Sequence, residues 1–139
     1  MKNIKYIIIH CSATRADVAY TPEQMEADHL ARGFRTIGYH YYVRRDGTVT
    51  QHRENYETGA HCKGYNSCSI GICYEGGLDR QGKPANTLTD AQRRSMGTLI
   101  RALRKSYPAA TLVGHCDLNP AKACPCFDVK EVFSDILSE

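Results

Sequence analysis

The chain has 139 residues, a length typical of one domain, and it is 42% hydrophobic and 24% charged, as ordinary globular proteins are. The net charge of +3 is small and the Lys and Arg residues are scattered, which argues against a nucleic-acid-binding protein. The longest aliphatic run, Ile7 to Ile9, is far shorter than the roughly 20 residues that a membrane span requires. We therefore expect one domain over residues 1–139, with no nucleic-acid partner and no membrane insertion.

The predicted elements alternate between strands and helices along the chain. They are, in order, a strand at 5–9, a helix from Thr21 to Gly33, a hairpin of strands 39–43 and 49–52, a strand at 69–74, a helix from Thr89 to Pro108, a strand at 111–114 and a helix from Asp128. Short β-branched or apolar runs predict the strands, and an Asp-Gly turn predicts the hairpin. Thr residues followed three positions later by Gln predict the starts of the first two helices. This order suggests an α/β fold in which a central sheet of mixed direction is flanked by helices.

The amino terminus and the cysteines indicate where the protein is made. The segment MKNIKYIIIH lacks the apolar region and the small-residue cleavage site of a signal peptide. The chain is therefore expected to be cytoplasmic as synthesised, in a compartment that keeps thiols reduced. Seven cysteines are many for such a compartment, and an odd number cannot all pair within one chain. At least one thiol must therefore remain outside any intrachain disulfide.

Two predicted strands end in histidine, at IIIHC and at LVGHC. Functional sites in α/β folds gather at the ends of strands, so His10 and His115 should converge if their strands are parallel neighbours. Two neutral imidazoles and one thiolate form a three-ligand zinc set, which leaves the fourth position for water as catalytic zinc sites do. The segment CPC at 124–126 offers the thiolate.

The residue pattern leaves two sets of metal ligands open. Side chains alternate along extended chain, and Pro125 favours extended backbone before it, so Cys124 and Cys126 should point in opposite directions. The same alternation would separate each strand-end histidine from the cysteine after it. One set is His10, His115 and one of the two paired cysteines. The other is Cys11, Cys116 and the remaining cysteine, an all-sulfur group suited to a closed structural site.

Four blocks of the sequence together resemble a known enzyme family. They are IIIHCSAT, IGYHYYVRRDGTV, GAHCKGYNSCSIGICYEGG and HCDLNPAKACPCFD, and they occur in the family's order between about residues 4 and 133. The family is that of the zinc-dependent N-acetylmuramoyl-L-alanine amidases of the bacteriophage T7 lysozyme type, relatives of the peptidoglycan recognition proteins. The resemblance implies their α/β fold, a Zn²⁺ cofactor and peptidoglycan as the substrate.

The resemblance also implies roles for particular residues. By position, the zinc ligands fall on His10, His115 and Cys124, the catalytic tyrosine on Tyr39 and the catalytic lysine on Lys122. Lysine would stabilise the oxyanion that forms during amide hydrolysis, and tyrosine would orient the attacking water or exchange a proton with it.

Two positions depart from the family pattern. The residue two after the ligand cysteine is usually a small hydroxyl residue, whereas this chain has Cys126. Some other amidases of the superfamily carry a catalytic glutamate where this chain has Cys73, which leaves Glu75 as a minority candidate for a general base. Cys126 therefore remains an alternative metal ligand.

The loop AHCKGYN between the hairpin and the next strand carries aromatic, imidazole and amide groups that suit a ligand made of sugar and peptide. We expect His61, Tyr65 and Asn66 to line the substrate groove. A structural role for the loop histidine is equally compatible with the sequence.

The expected function is hydrolysis of the amide bond between N-acetylmuramic acid and L-alanine, by a monomeric phage or prophage endolysin. It would reach the cell wall through a membrane lesion made by another protein. A host wall-recycling amidase is an alternative with the same chemistry. The alternatives of other classes are a peptidoglycan-binding module without activity and a closed zinc or disulfide domain.

Overall fold

A computed structural model describes residues 3–139, which form seven strands, five α-helices and one short 3₁₀ helix. The strands are β1 (Tyr6–Cys11), β2 (Thr14–Arg15), β3 (Tyr41–Val43), β4 (Val49–Gln51), β5 (Ser69–Tyr74), β6 (Gly77–Leu78) and β7 (Thr111–Gly114). The helices are α1 (Pro22–Ala31), α2 (Asp90–Ser106), α3 (His115–Leu118), α4 (Val129–Val132) and α5 (Ser134–Leu137), and the 3₁₀ helix spans Asn66–Cys68.

Five strands form the central sheet in the order β4-β3-β5-β1-β7. The β3–β5, β5–β1 and β1–β7 pairs are parallel, whereas the hairpin strands β3 and β4 are antiparallel. The predicted α/β class with a mixed sheet is confirmed. The arrangement makes β1 and β7 parallel neighbours, which is the condition under which their histidines were expected to meet.

The sheet is covered on both faces. On one face, alternate residues of β1 and β5 pack with apolar residues of α2, α4 and α5, and Ile9, Ile72, Met96, Ile100 and Phe133 belong to this core. On the other face, two smaller clusters surround Ile8 and Tyr42, and the second includes Met25 of α1. His10 is buried in β1 among these strands, with 1% of its surface exposed.

Both long helices begin where the capping residues predict. Thr21 caps α1 and Thr89 caps α2, each with the reciprocal Gln hydrogen bond of a capping box. Helix α1 ends at Ala31, two residues before the predicted end, and Gly33 follows with a φ of +92°. A left-handed glycine is the usual helix-terminating residue, since it has no Cβ to clash.

The structure corrects several predicted boundaries. His115 does not end a strand but begins α3, and strand β3 starts at Tyr41 rather than at Tyr39. The last helix begins at the Asp128 cap as predicted but is divided into α4 and α5, because Phe133 has the non-helical ψ of 26°. The pairing of β2 with β6 into a second sheet has no counterpart in the prediction. Within residues 3–139, no helix is long and apolar enough to cross a membrane.

Candidate metal centre and active site

Two adjacent parallel strands bring the two histidines together. β1 carries His10, and β7 runs beside it and delivers His115 at the first residue of α3. The two imidazole centroids lie 4.6 Å apart. The predicted convergence of the histidines is therefore present, although His115 reaches the site from a helix start rather than from the strand itself.

Cys124 reaches the same point from the loop between α3 and α4. Its carbonyl oxygen accepts a hydrogen bond from the backbone N–H of Cys116 at 2.8 Å, which ties the loop to the start of α3. Its Sγ atom lies 3.8 Å from Nδ1 of His10. The thiol of Cys124 therefore faces the histidine pair.

The three side chains are close enough to share one metal ion. One ligand atom from each of His10, His115 and Cys124 lies within 4.8 Å of the others. Burial, followed by the charges of His61 and His115, lowers the pKa of His10 well below its usual value. Burial and the Lys122 ammonium also lower the pKa of His115, so that both imidazoles favour the neutral form that binds metal. Two imidazoles and one thiolate are a donor set that fits zinc.

Cys126 lies on the other side of the CPC segment. It has a φ of +71°, and its Sγ atom is 3.9 Å from the Sγ atom of Cys11. Burial and the nearby Cys11 thiol raise the pKa of Cys126 to about 12. In the described part of the chain, only the histidine-containing set comes together as a possible metal site, and the all-sulfur set does not.

Tyr39 and Lys122 both border this centre. The ring centroid of Tyr39 lies 5.0 Å from that of His10, in the bend before β3. Burial and the surrounding thiols raise the pKa of Tyr39 well above its usual value, so the phenol keeps its proton at neutral pH. Lys122 is exposed on the loop that also carries Cys124, and its charge acts on His115.

The candidate metal centre lies in a cavity of about 740 Å³. Its lining includes both histidines, Cys124, Tyr39 and Lys122, together with His61 and Asn66. Three cations, Arg32, Lys63 and Lys122, also line it, and none of the described lining residues is Asp or Glu. The cavity is therefore electropositive.

The three residues expected to bind substrate occupy different positions. His61 lies beside the candidate metal centre, with Nδ1 2.9 Å from Nε2 of His10. Asn66 borders the cavity, but its Oδ1 atom accepts hydrogen bonds from the backbone N–H groups of His61 and Cys62 at 2.8 and 2.9 Å. Tyr65 does not line the cavity, because its ring packs edge-on against Tyr6.

The structure does not favour the minority role of Glu75. Its side chain is 2% exposed and lies outside the cavity. The carboxylate accepts hydrogen bonds from Nε of Arg44 at 2.8 Å, from the backbone N–H of Tyr20 at 2.7 Å and from the backbone N–H of Arg45 at 3.0 Å. Burial alone would raise the pKa of Glu75, but these donors hold it below its usual value. The carboxylate is a structural acceptor rather than a free base.

Sequence reasoning did not identify several residues of the cavity wall. His29 reaches it from α1 and Arg32 from the residue after that helix, and Nδ1 of His29 accepts a hydrogen bond from the backbone N–H of Gly38 at 2.9 Å. The Arg32 guanidinium lies 4.9 Å above the ring of Phe34. No motif marks these residues in the sequence, whereas Lys63 lies inside the loop AHCKGYN and could have been found there.

Comparisons with known proteins agree with the fold and the site. Residues 1–127 match the family model described as N-acetylmuramoyl-L-alanine amidase. The endolysin of Klebsiella phage KP32 is 42% identical over 124 residues, which are 89% of this chain and 82% of the relative. The endolysin of Escherichia phage T7 is 40% identical over 124 residues, with the same coverage of both chains.

A solved structure is also similar. The N-acetylmuramoyl-L-alanine amidase LysC from Clostridium intestinale URNW superposes with a TM-score of 0.83 and 28% sequence identity, covering 98% of this chain and 87% of LysC. The fold is the one that amidases share with peptidoglycan recognition proteins. On the match over residues 1–127 and the identity to the phage endolysins, this chain belongs to the N-acetylmuramoyl-L-alanine amidase family.

Proposed function

We propose that the protein is a zinc-dependent peptidoglycan hydrolase that cleaves the amide bond between N-acetylmuramic acid and L-alanine. The observation that carries the proposal is the convergence of His10, His115 and Cys124 within 4.8 Å in the wall of an open cavity. In a member of this family, that placement favours a catalytic centre over a closed structural site, because three protein ligands leave one position for water.

The metal ligands of the proposal are the two imidazoles and the Cys124 thiolate. When bound there, zinc lowers the pKa of a coordinated water to about 7 and polarises the scissile carbonyl. The backbone N–H of Cys11 donates to Sγ of Cys124 at 3.2 Å and would help to orient this ligand. Burial of His10 would exclude bulk water from its side of the centre.

Lys122 and Tyr39 would act on the substrate. The Lys122 ammonium is exposed at the cavity wall, where it can stabilise the negative charge that develops on the carbonyl oxygen. The Tyr39 hydroxyl keeps its proton, since its pKa is raised, so it can orient the attacking water and exchange a proton with it during the reaction.

The rest of the cavity would hold the peptide. Arg32 and Lys63 supply positive charge to a lining without acidic residues, which suits a substrate with free carboxylates such as a cell-wall peptide. His61 and Asn66 border the same space, and we keep them as candidate substrate contacts. Tyr65 lies away from the cavity and has no part in the proposed groove.

The biological setting follows from the relatives. The proteins from phages KP32 and T7 are named endolysins, so we propose that this protein is a phage or prophage endolysin that acts on the cell wall from within the host. It would pass the membrane through a lesion made by another protein.

The test is digestion of purified peptidoglycan followed by mass analysis of the soluble fragments. We expect intact stem peptides with a free L-alanine amino group, and glycan strands that keep the lactyl group. Cleavage between sugars, or within the peptide, would contradict the proposal. Binding without release of fragments would instead support a recognition module. Metal analysis of the same preparation should find one zinc per chain.

A further inference from the structure

We infer that His61 is a positioning residue that fixes the tautomer of His10, so that Nδ1 of His10 presents its lone pair to the metal. The inference rests on the proposed function, since it assigns a task at the proposed zinc centre. The observation is a chain of hydrogen bonds that runs from a backbone carbonyl, through Ser69 and His61, to His10.

The backbone carbonyl sets the direction of every hydrogen bond in this chain. The carbonyl oxygen of Tyr65 can only accept, so the Ser69 hydroxyl donates to it, at 2.7 Å. The hydroxyl has a single proton, so Ser69 Oγ must accept from Nε2 of His61, 3.3 Å away. His61 is therefore protonated on Nε2 when neutral.

The tautomer of His61 in turn sets that of His10. With its proton on Nε2, neutral His61 has a lone pair on Nδ1, which accepts from Nε2–H of His10 at 2.9 Å. His10 then has no proton on Nδ1, and that atom lies 3.8 Å from Sγ of Cys124. Metal-binding histidines usually donate their second N–H to a fixed acceptor, and the acceptor selects the coordinating nitrogen.

The His61 ring is held firmly enough to act in this way. A Cβ atom on Gly71 of β5 would lie 2.7 Å from Cγ of the His61 ring, and one on Gly59 would lie 2.6 Å from Cδ2. Both glycines therefore leave the space that the ring fills. On the backbone side, Oδ1 of Asn66 holds the N–H of His61 at 2.8 Å. Ring and backbone are both fixed, as a positioning role requires.

A neighbouring buried histidine, His40, makes hydrogen bonds to backbone groups instead. His40 lies 5.7 Å from His61 between ring centroids, and its Nδ1 accepts from the backbone N–H of Gly71 at 3.1 Å. Its Nε2 lies 2.8 Å from the carbonyl oxygen of Glu57. These contacts join backbone segments, whereas the contacts of His61 lead to a proposed metal ligand.

The experiment measures zinc affinity by chelator competition, and the His10 tautomer by ¹H–¹⁵N NMR of the metal-free protein. Three variants are compared with the wild type: His61→Leu, His61→Gln and Ser69→Ala. The control is His52→Gln, since His52 bonds to Thr50 and lies outside the cavity lining. Because His61→Leu could fail to fold, His61→Gln keeps an acceptor and a donor in place, and Ser69→Ala keeps the imidazole.

In the wild type we expect His10 to carry its proton on Nε2. In His61→Leu, His10 should lose this preference, and the zinc affinity should be about 10- to 100-fold weaker than that of the wild type. His61→Gln should restore most of the affinity, Ser69→Ala should lower it by a smaller factor, and His52→Gln should leave it unchanged. An unchanged tautomer and affinity in both His61 variants, with only KM raised, would overturn the inference and leave His61 with a substrate contact alone. If the wild type bound no zinc, the proposed function would fail, while the tautomer of His10 would still decide the role of His61.

Discussion

The backbone N–H of Cys11 donates a hydrogen bond to Sγ of Cys124 at 3.2 Å. The Sγ atom of Cys11 lies 3.9 Å from Sγ of Cys126. Cys11 thus contacts both cysteines of the CPC segment, whereas the Sγ atom that lies against His10 is that of Cys124. The N–H of Cys11 helps to fix the position of the Cys124 sulfur, whereas burial and the Cys11 thiol raise the pKa of Cys126 to about 12, so that Cys126 favours the neutral thiol.

The first prediction concerns these two thiols. Cys124→Ser should lose bound zinc and lower the rate of peptidoglycan hydrolysis by at least about 100-fold, because a hydroxyl replaces the thiolate ligand. Cys126→Ser should keep one zinc per chain and most of the rate. Zinc content by metal analysis and release of stem peptides check both variants. Loss of zinc in Cys126→Ser alone would reverse the ligand assignment.

The second prediction concerns the hydroxyl of Tyr39. Tyr39→Phe keeps the ring that lies 5.0 Å from His10 and removes only the polar end. We expect kcat to fall by about 10²- to 10⁴-fold, since proton exchange with the water is lost, while zinc content is unchanged. Turnover of soluble muropeptides and metal analysis provide the measurement. A rate equal to that of the wild type would show that the tyrosine serves only packing.

The third prediction concerns the charge of Lys122. Lys122→Met should lower kcat by about 100-fold with little change in KM, because the ammonium acts on charge that appears only in the transition state. Lys122→Arg should recover part of the rate, as it restores the charge with a different shape. The exposed Lys105, at the end of α2, provides the control as Lys105→Met. A rise in KM with kcat unchanged would assign Lys122 to substrate binding alone.

Sequence patterns located the centre but not all of its geometry. Alternation and strand ends placed His10 and His115 together, and this holds because β1 and β7 are parallel neighbours. The separation of Cys124 from Cys126 was expected from extended chain, whereas Cys126 has a left-handed φ of +71°. Cys124 joins the two histidines although the backbone of the CPC segment is not extended throughout.

Contacts between distant segments could not be predicted from one sequence. The hydrogen bond between His10 and His61 joins positions 51 residues apart, and it depends on the space left by Gly71 in β5. Local patterns give no information on such packing. The same is true of Glu75, which looks like a candidate base in the sequence and is a buried partner of Arg44 in the fold.

The fourth prediction concerns that buried ion pair. Glu75→Gln leaves the Arg44 guanidinium without its counter-charge, so we expect a loss of about 3 kcal/mol in the free energy of unfolding at pH 7. Urea denaturation measures the loss. Glu131→Gln, on the exposed side of α4, is the matched control and should change stability by less than about 0.5 kcal/mol.

The pH dependence of the same variant tests the sign of the electrostatic effect. The pKa of Glu75 is lower in the folded protein than its usual value, so its charged form stabilises the fold at any pH above the usual value. This stabilisation is lost as the pH falls through the pKa that Glu75 has in the folded protein, because the carboxylate is then protonated in the folded as well as in the unfolded state. The difference between wild type and Glu75→Gln should therefore be constant from pH 7 to about pH 5 and shrink below about pH 4. At pH 7 the folded variant should retain its hydrolysis rate, and a large loss of rate with unchanged stability would instead make Glu75 a general base.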